Sequence, residues 1–592
     1  MSTRIGTIAT RSARVALAIA LFATLQAPPA AAAEKCSLQA LEIPIAMKGG
    51  RAVATIGING MQIPLTVDSG AFFSMLTPAV AQQLKLKVGP LPWGLRVGGL
   101  TGEADAGLTN VKEMELVGGK LPEVDFIVGG NEPGAGTMGL LGRNILAITD
   151  IEYDLAHGAI RLMFPKGDCG DMGMAYWAGD KPVSELRLLR DDSRSKLPPT
   201  QAVVELNGKK LRALFDSGAT SLISLSAAKS LGLTEATMKP AGRAYGLGLG
   251  SAKSWIAQFD SFVVGGEKTT DLRALVVDFD NMKEDMLLGI DFFLSHRIYI
   301  SKSQRKMYFT YNGGRVFALS EVAAAAEEAA SAPELADADA YARRGAGAAS
   351  RRDYRAALAD LDRALEMEPG NAAVLVQRGE VHEALRQGPE AIADYEAALK
   401  LVPTQPDALL RRAWFRESQR NRDGALLDIE ALDRLLPSQA HQRLQLARLY
   451  ERMGLQDRAI PQLDQWIAAR DQDIEMAGAL NSRCWARMLL NTGLDQALKD
   501  CDKAIDFEPD NASFRDSRAW VRLRQGELKK ALSDFDRALK AKDDLAWARY
   551  GRGLVRSRLG KPEDGEADLE AARKVLPTID ERVKRWGLVA GS

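Results

Sequence analysis

Ile56-Gly57-Ile58-Asn59-Gly60-Met61-Gln62-Ile63-Pro64-Leu65-Thr66-Val67-Asp68-Ser69-Gly70-Ala71 has a second version in the same chain. It is Val204-Glu205-Leu206-Asn207-Gly208-Lys209-Lys210-Leu211-Arg212-Ala213-Leu214-Phe215-Asp216-Ser217-Gly218-Ala219. In each, an alternating apolar run meets Asn-Gly, a strong two-residue hairpin signal, and a second run follows. That second run passes directly into Asp-Ser-Gly-Ala. Asn59 precedes Asp68 by 9 residues, and Asn207 precedes Asp216 by 9.

The duplication continues downstream. Leu140-Leu141-Gly142-Arg143-Asn144-Ile145-Leu146 matches Leu287-Leu288-Gly289-Ile290-Asp291-Phe292-Phe293. Gly142 lies 74 residues after Asp68, and Gly289 lies 73 after Asp216. Each copy opens with a strand-like run, Leu41–Met47 and Val183–Leu189. Each closes with two more, Ile151–Asp154 with Ile160–Phe164 and Arg297–Ile300 with Lys306–Phe309. The units are therefore 36–168 and 181–313. The Gly, Pro and charge clusters between Asp168 and Pro199 suit a linker and an exposed hairpin tip.

Each copy resembles a retropepsin-like (clan AA) aspartic protease domain. The resemblance rests on Asp68-Ser69-Gly70-Ala71 and Asp216-Ser217-Gly218-Ala219, each followed by Leu-Leu-Gly. It implies two all-β acid protease domains forming a pseudo-dimer, with Asp68 and Asp216 as the catalytic pair. Pairing between two separate chains is the alternative arrangement. Peptide hydrolysis by this route uses an ionised carboxylate to activate water and a protonated one to polarise the carbonyl. No cofactor is needed. Two nearby carboxyls share one proton, so one domain alone is insufficient.

The resemblance assigns active-site loop support to Ser69, Gly70, Ala71, Ser217, Gly218 and Ala219. It predicts that the two serine hydroxyls cross-bond between the loops. It also calls for a closing Gly-rich hairpin. Gly98 and Gly99 in the first copy, and Tyr245, Gly246 and Gly248 in the second, are the flap candidates. Trp93 and Tyr245 are candidate pocket residues or simple core. The first loop departs from the family where Phe72-Phe73 follows Ala71; the second copy has Thr220-Ser221. Two aromatics beside Asp68 raise the alternative of a non-catalytic cell-envelope peptide-binding or scaffold protein. The expected function is an exported aspartic-type endopeptidase.

Beyond residue 313 the pattern changes. Residues 314–337 are Ala/Glu-rich and read as a linker. Pro369, Pro403 and Pro437 then recur every 34 residues, as do Gly345, Gly379, Ala413 and Ala447. Ala357, Ala391, Ala425 and Ala459 form a third series. This resembles the tetratricopeptide repeat (TPR), an all-α superhelix of helix pairs. Seven repeats are expected over 338–579, with 580–592 as a C-terminal tail. Stacked pairs form a groove suited to a protein or peptide partner. Arg411, Arg412 and Arg416 lie on first helices, either facing acidic peptides or solvated.

The 592 residues exceed one hydrophobic core. Lys+Arg and Asp+Glu are 77 each, which gives no reason to expect nucleic acid as a partner. Arg4, Arg11 and Arg14, the apolar run Val15–Leu25 and small residues through Ala33 read as a signal peptide over 1–33. The apolar run is short for a membrane anchor, so no stable membrane insertion is expected after cleavage. A periplasmic location follows, with full secretion as the other possibility. Export gives the four cysteines the pairing Cys36–Cys169 and Cys484–Cys501, against the alternative of four free thiols. No CxxC exists and the four His are scattered, so no metal is expected.

Overall fold

A computed structural model describes residues 36–92, 96–99, 102–130, 137–170, 172–190, 197–244, 246, 251–279, 284–314, 316–317, 335–470, 473 and 475–588. The expected signal peptide, most of the 314–337 linker, Trp93, and Tyr245 and Gly248 of the candidate flap lie outside them.

The Asn-Gly turns close both hairpins. Arg51–Ile58 pairs with Met61–Val67, Ile58 standing opposite Met61, and Gln201–Leu206 pairs with Lys209–Phe215. Asn59 and Gly60 have φ of 49° and 82°, and Asn207 and Gly208 have 49° and 76°. Two successive left-handed residues match the right-handed twist of the strands, which is why Asn-Gly is selected here. The asparagines also brace the neighbouring strand. Asn59 Oδ1 accepts from the Glu113 N–H, and Asn207 Oδ1 accepts from those of Asp260 and Ser261.

Each hairpin founds one sheet. The first runs Ala46–Lys48, Arg51–Ile58, Met61–Val67, Gly139–Leu141, Met75–Leu76, Gly119–Gly129, Ala106–Leu116, Gly89–Pro90. The second runs Gln201–Leu206, Lys209–Phe215, Met286–Leu288, Leu222–Ser224, Glu267–Val277, Ala252–Val264, Lys239–Ala244. Apart from the extra first strand, the orders are equivalent. Ile56, Ile63, Leu65 and Val67 in one copy, and Val204, Leu211, Ala213 and Phe215 in the other, are buried. The inward face of each hairpin thus supplies the core, about 1.5–3 kcal/mol per large buried side chain.

The copies join through a third sheet of six strands, three from each. Its order is Ser37–Pro44, Ala159–Lys166, Asp150–Asp154, His296–Ser301, Lys306–Tyr311, Ser184–Arg187. At its centre Ile151 faces Ile300, Glu152 faces Tyr299 and Tyr153 faces Ile298, antiparallel. This is the pseudo-dimer expected from the duplication, built within one chain.

The segment after Asp168 differs from the expected linker. Cys169, Met174 and Ala178 are buried, and Cys169 is bonded to Cys36. The Trp177 indole donates to Thr310 Oγ1 at 2.9 Å, and the Gln304 amide donates to the carbonyls of Cys169 and Met172. The apolar side chains of this strap cover Met163, Tyr299 and Tyr308 on the outer face of the six-stranded sheet. Without that cover the buried aromatics would face water.

Seven helix pairs follow among the described residues. They are Ala338–Ser350 with Tyr354–Met367, Ala372–Ala384 with Gly388–Leu401, Pro406–Ser418 with Arg422–Leu435, and Gln442–Arg452 with Gln456–Ala468. Then come Met476–Leu490 with Leu494–Phe507, Ala512–Arg524 with Leu528–Ala541, and Ala546–Arg558 with Pro562–Val575. The recurring small residues let paired helices touch. A Cβ on Gly379 would lie 2.5 Å from the Tyr395 ring. Where a tail was expected, Ile579–Arg585 forms a further short helix with Ile579 and Val583 buried.

The division between compact units falls after Leu401, not at the linker. The first helix of the first pair packs on the β half, with Ala346 part of its core. A Cβ on Gly347 would approach the Ala156 carbonyl to 2.7 Å. The small residues of Ala338–Ser350 therefore let this helix backbone lie against the β half.

Each pair but the fourth is locked by an Arg–Asp fork not foreseen from the sequence. Examples are Arg378 with Asp394 at 2.6 Å, Arg483 with Asp500 at 2.6 Å and Arg518 with Asp534 at 2.7 Å. In the fourth pair Arg443 instead meets Gln462 and Asp433. Arg412 and Arg416 both bind Asp428, which is buried, so they close a structural ion pair rather than face an acidic peptide.

Candidate active site

Asp68 and Asp216 end equivalent strands. The Asp68 N–H donates to the Leu141 carbonyl at 3.0 Å, and that of Asp216 to the Leu288 carbonyl at 2.9 Å. The Leu-Leu-Gly segments thus form parallel pairs with the strand leading to each Asp. Beyond the strand the loop folds back on its own carboxylate. The Ala71 N–H reaches Asp68 Oδ1 at 2.6 Å, and the Gly218 N–H reaches Asp216 Oδ1 at 2.9 Å.

The two loops interlock. Ser217 Oγ accepts from the Ser69 N–H at 3.1 Å and donates to the Val67 carbonyl at 3.0 Å. Ser69 Oγ accepts from the Ser217 N–H at 2.9 Å and donates to the Phe215 carbonyl at 3.0 Å. The hydroxyls were expected to cross-bond. Each crosses by gripping the opposite backbone, which fixes the loop rather than a rotatable side chain.

Glycine is required for this approach. A Cβ on Gly70 would fall 2.4 Å from Asp216 Cγ, and one on Gly218 would fall 2.5 Å from Asp68 Cγ. Each carboxyl therefore sits against the other loop's glycine, and the two carboxyls hydrogen-bond to each other. Asp68 and Asp216 are half-buried, while Ser69 and Ser217 are buried.

Electrostatics separate the two carboxyls. Burial raises Asp68, opposed by the Ala71 N–H, the Asp216 hydrogen bond, the Gly70 N–H and the Arg143 charge. Burial and then the Asp68 charge push Asp216 well above the usual carboxylate range. Of the two, Asp216 is raised the further. Arg51 also faces the pair, its Nη1 donating to the Gly218 carbonyl at 3.2 Å. Burial lowers its proton affinity, and the charges of Asp68 and Asp216 oppose that. The buried Tyr153 packs edge-on against Phe293 at 4.9 Å, and burial raises its phenol, opposed by Ser69.

Supporting hydrogen bonds give the register between the loops. Ser74 Oγ accepts from the Gly142 N–H, and Ser221 Oγ accepts from the Gly289 N–H, each across 68 residues. Asn144 holds the Ser74 N–H and Asp291 holds that of Ser221. Ser221 is thus the counterpart of Ser74, and the extra residue in the first copy lies between Ala71 and Ser74. Phe72-Phe73 replaces Thr220 alone. The two aromatics part company there. Phe73 is buried with Met75, Val97 and Ile127, while Phe72 is 42% exposed with the Arg143 guanidinium 5.8 Å from its ring centroid.

The first flap candidate is a hairpin, with Gly98 opposite Glu103 and Gly99 opposite Gly102. In the second copy Lys239–Ala244 pairs with Ala252–Val264, and Gly246 belongs to the connection between them. Cys36–Cys169 and Cys484–Cys501 are both disulfides.

Sequence reading missed Arg51, Arg143, Tyr153 and the Ser74–Asn144 and Ser221–Asp291 supports. A polar residue two places after each Leu-Leu-Gly, within an apolar run, was a usable signal for the supports. Arg51 aligns with Pro199, so comparison of the copies carried no signal for it.

Residues 54–147 match the family model of gag-polyprotein putative aspartyl proteases, and residues 202–292 match that of aspartyl proteases. Both copies of the β half thus match aspartyl protease family models, and the helical part is an array of helix pairs. Among solved structures the chain is similar to a tetratricopeptide repeat protein from Parabacteroides merdae. Identity is 18% and the TM-score 0.32, over 42% of this chain and 99% of that one. It is also similar to YrrB, a TPR protein with an unusual peptide-binding site, at 16% identity and TM-score 0.22, over 38% of this chain and 98% of that one. No curated protein matches the chain.

Proposed function

We propose that the chain is an exported aspartic-type endopeptidase in which Asp68 and Asp216 activate water against a peptide carbonyl. The observation that carries this reading is the reciprocal approach of each carboxyl to the other loop's glycine. Sharing of one proton is the general behaviour of aspartic protease dyads and serves as the model. Asp68, beside Arg143, is the ionised base. Asp216 keeps the proton and polarises the carbonyl. Ser69, Gly70, Ala71, Ser217, Gly218 and Ala219 hold the geometry, and the two hairpins containing Gly98–Gly99 and Gly246 are the flaps.

The TPR array recruits a protein or peptide, and the location is the periplasm or beyond. The signal-like pattern of residues 1–33 supports export. Two disulfides fit an oxidising compartment.

Incubation of the purified protein with an unbiased peptide library tests the activity. Cleavage is expected from the wild type and from neither Asp68→Asn nor Asp216→Asn. Cleavage unchanged in both variants rules out the dyad. A wild type that binds but never cleaves would favour the non-catalytic binding protein, a reading prompted by the exposed Phe72 beside Asp68.

A further inference from the structure

Arg51 opens the strand Arg51–Ile58 of the first copy, yet its guanidinium serves the second loop. Its backbone is fixed, with Arg51 opposite Lys48 and the next two residues, Ala52 and Val53, buried. From there the side chain crosses to a group 167 residues away, where Nη1 donates to the Gly218 carbonyl at 3.2 Å. The same Gly218 gives its N–H to Asp216 Oδ1. Strand and loop together therefore hold the guanidinium within one residue of the candidate dyad.

A guanidinium has five N–H donors. The bond to Gly218 is the one side-chain hydrogen bond of Arg51 among the described residues. It forms no ion pair among them, and the charges that reach it are those of Asp68 and Asp216. Those two carboxyls are already engaged, each with an N–H of its own loop and with one another. Other arginines of the β half are spent differently. Arg161 and Arg297 are paired with Glu152 and Asp154. Arg143, beside the first loop, donates to the carbonyls of Ala71 and Leu197. Arg51 is half-buried and keeps spare donors. Its planar fork matches a carboxylate in two parallel bonds, and partial burial strengthens such a pair.

The first copy alone carries this group. Arg51 lies 17 residues before Asp68, and Pro199 lies 17 before Asp216. A peptide lying across the two loops meets a different copy on each side of the scissile bond. A single guanidinium therefore acts on one side of the cut.

Building on the endopeptidase reading, we propose that Arg51 is a specificity-determining residue whose guanidinium binds a carboxylate of the peptide substrate, beside the scissile bond and on one side of it only. An Asp or Glu side chain and the free C-terminus of a short peptide offer the same two oxygens. A site built to pair a polar group rejects the analogue that lacks it far more strongly than an apolar pocket rejects a change of size.

The test uses the full chain. Cleavage sites are mapped on a peptide library with blocked termini, and Asp and Glu are expected to be enriched at one position on one side of the cut. Matched peptides with Glu or Gln at that position then give a ratio of kcat/KM, and free-acid and amide forms of one short peptide give a second ratio. At least one ratio is expected to be about tenfold or more in the wild type. A high Glu-over-Gln ratio identifies a side chain as the source, and a preference confined to the free acid identifies the chain terminus. Arg51→Gln should bring the ratio close to one, and Arg51→Lys should retain part of it. Each ratio is taken within one variant, so a general loss of activity does not imitate the result, and the wild-type ratio needs no variant. Wild-type cleavage with both ratios near one, or a ratio unchanged in Arg51→Gln, overturns this inference and leaves the endopeptidase reading standing. A wild type that cleaves nothing overturns both.

Discussion

Replacing Ser217 by alanine removes one hydroxyl, and its principal effect is expected on the opposite copy. Ser217 Oγ serves the Ser69 N–H and the Val67 carbonyl, 148 and 150 residues away. Both groups belong to the first loop, and Ser69 is buried. Each buried group left without its partner costs about 1–3 kcal/mol, so the pair costs about 2–6 kcal/mol. At about 1.4 kcal/mol per factor of ten, the lower limit is about 30-fold in local opening. Hydrogen–deuterium exchange read by mass spectrometry on peptides spanning residues 65–75 measures this directly. Faster exchange by at least about 30-fold at Ser69 is expected. Peptides from the helical repeats serve as the unaffected reference. Cleavage activity should fall with it, because the Asp68 carboxyl is held by the same loop through the Ala71 N–H. Acceleration confined to the second copy's own loop, with the first unchanged, would refute the reciprocal grip.

Gly218→Ala places a methyl 2.5 Å from Asp68 Cγ and is expected to abolish cleavage, whereas Gly208→Ala, with nothing within 4 Å, costs only the left-handed backbone strain of about 1–2 kcal/mol and leaves cleavage intact. Kinetics and thermal melts of the two variants check this. Asp216 binds its proton more tightly folded than unfolded, so its contribution is fullest below the unfolded value of about 3.9 and is lost as pH rises through the elevated folded value. Asp216→Asn should therefore stabilise the β half at neutral pH relative to wild type, with the gain shrinking toward pH about 4 in melts across that range. In the repeats, Asp534→Ala removes the buried carboxylate that Arg518 and Arg522 share, leaving them the more exposed Asp502 and Glu527, and should cost about 1–3 kcal/mol. Asp536→Ala removes an exposed bridge to Arg552 and should cost less than about 1 kcal/mol, both read by chemical denaturation.

Local chemistry was legible wherever the chain repeats itself. The Asn-Gly hairpins, the Asp-Ser-Gly-Ala loops, the Leu-Leu-Gly strands and the 34-residue helix pairs each carry their conformational cause within a short window. Repetition separates that cause from chance, and Asp68 and Asp216 were found this way. Groups without a counterpart were not legible. Arg51 aligns with a proline, and Val583 lay in a segment read as a tail. Phe72-Phe73 looked like a pair of equal obstacles, yet one turns into the core and the other out to solvent.

Sequence alone thus determined the two carboxylate loops, the sheet-forming copies and the helical array, because hairpin, turn and helix preferences act between near neighbours. Only the tertiary structure decided which hydroxyl grips which loop, which glycine admits which carboxyl and which Asp is raised the further. Those depend on contacts across about 150 residues and on charges brought together by burial, and no local pattern encodes them.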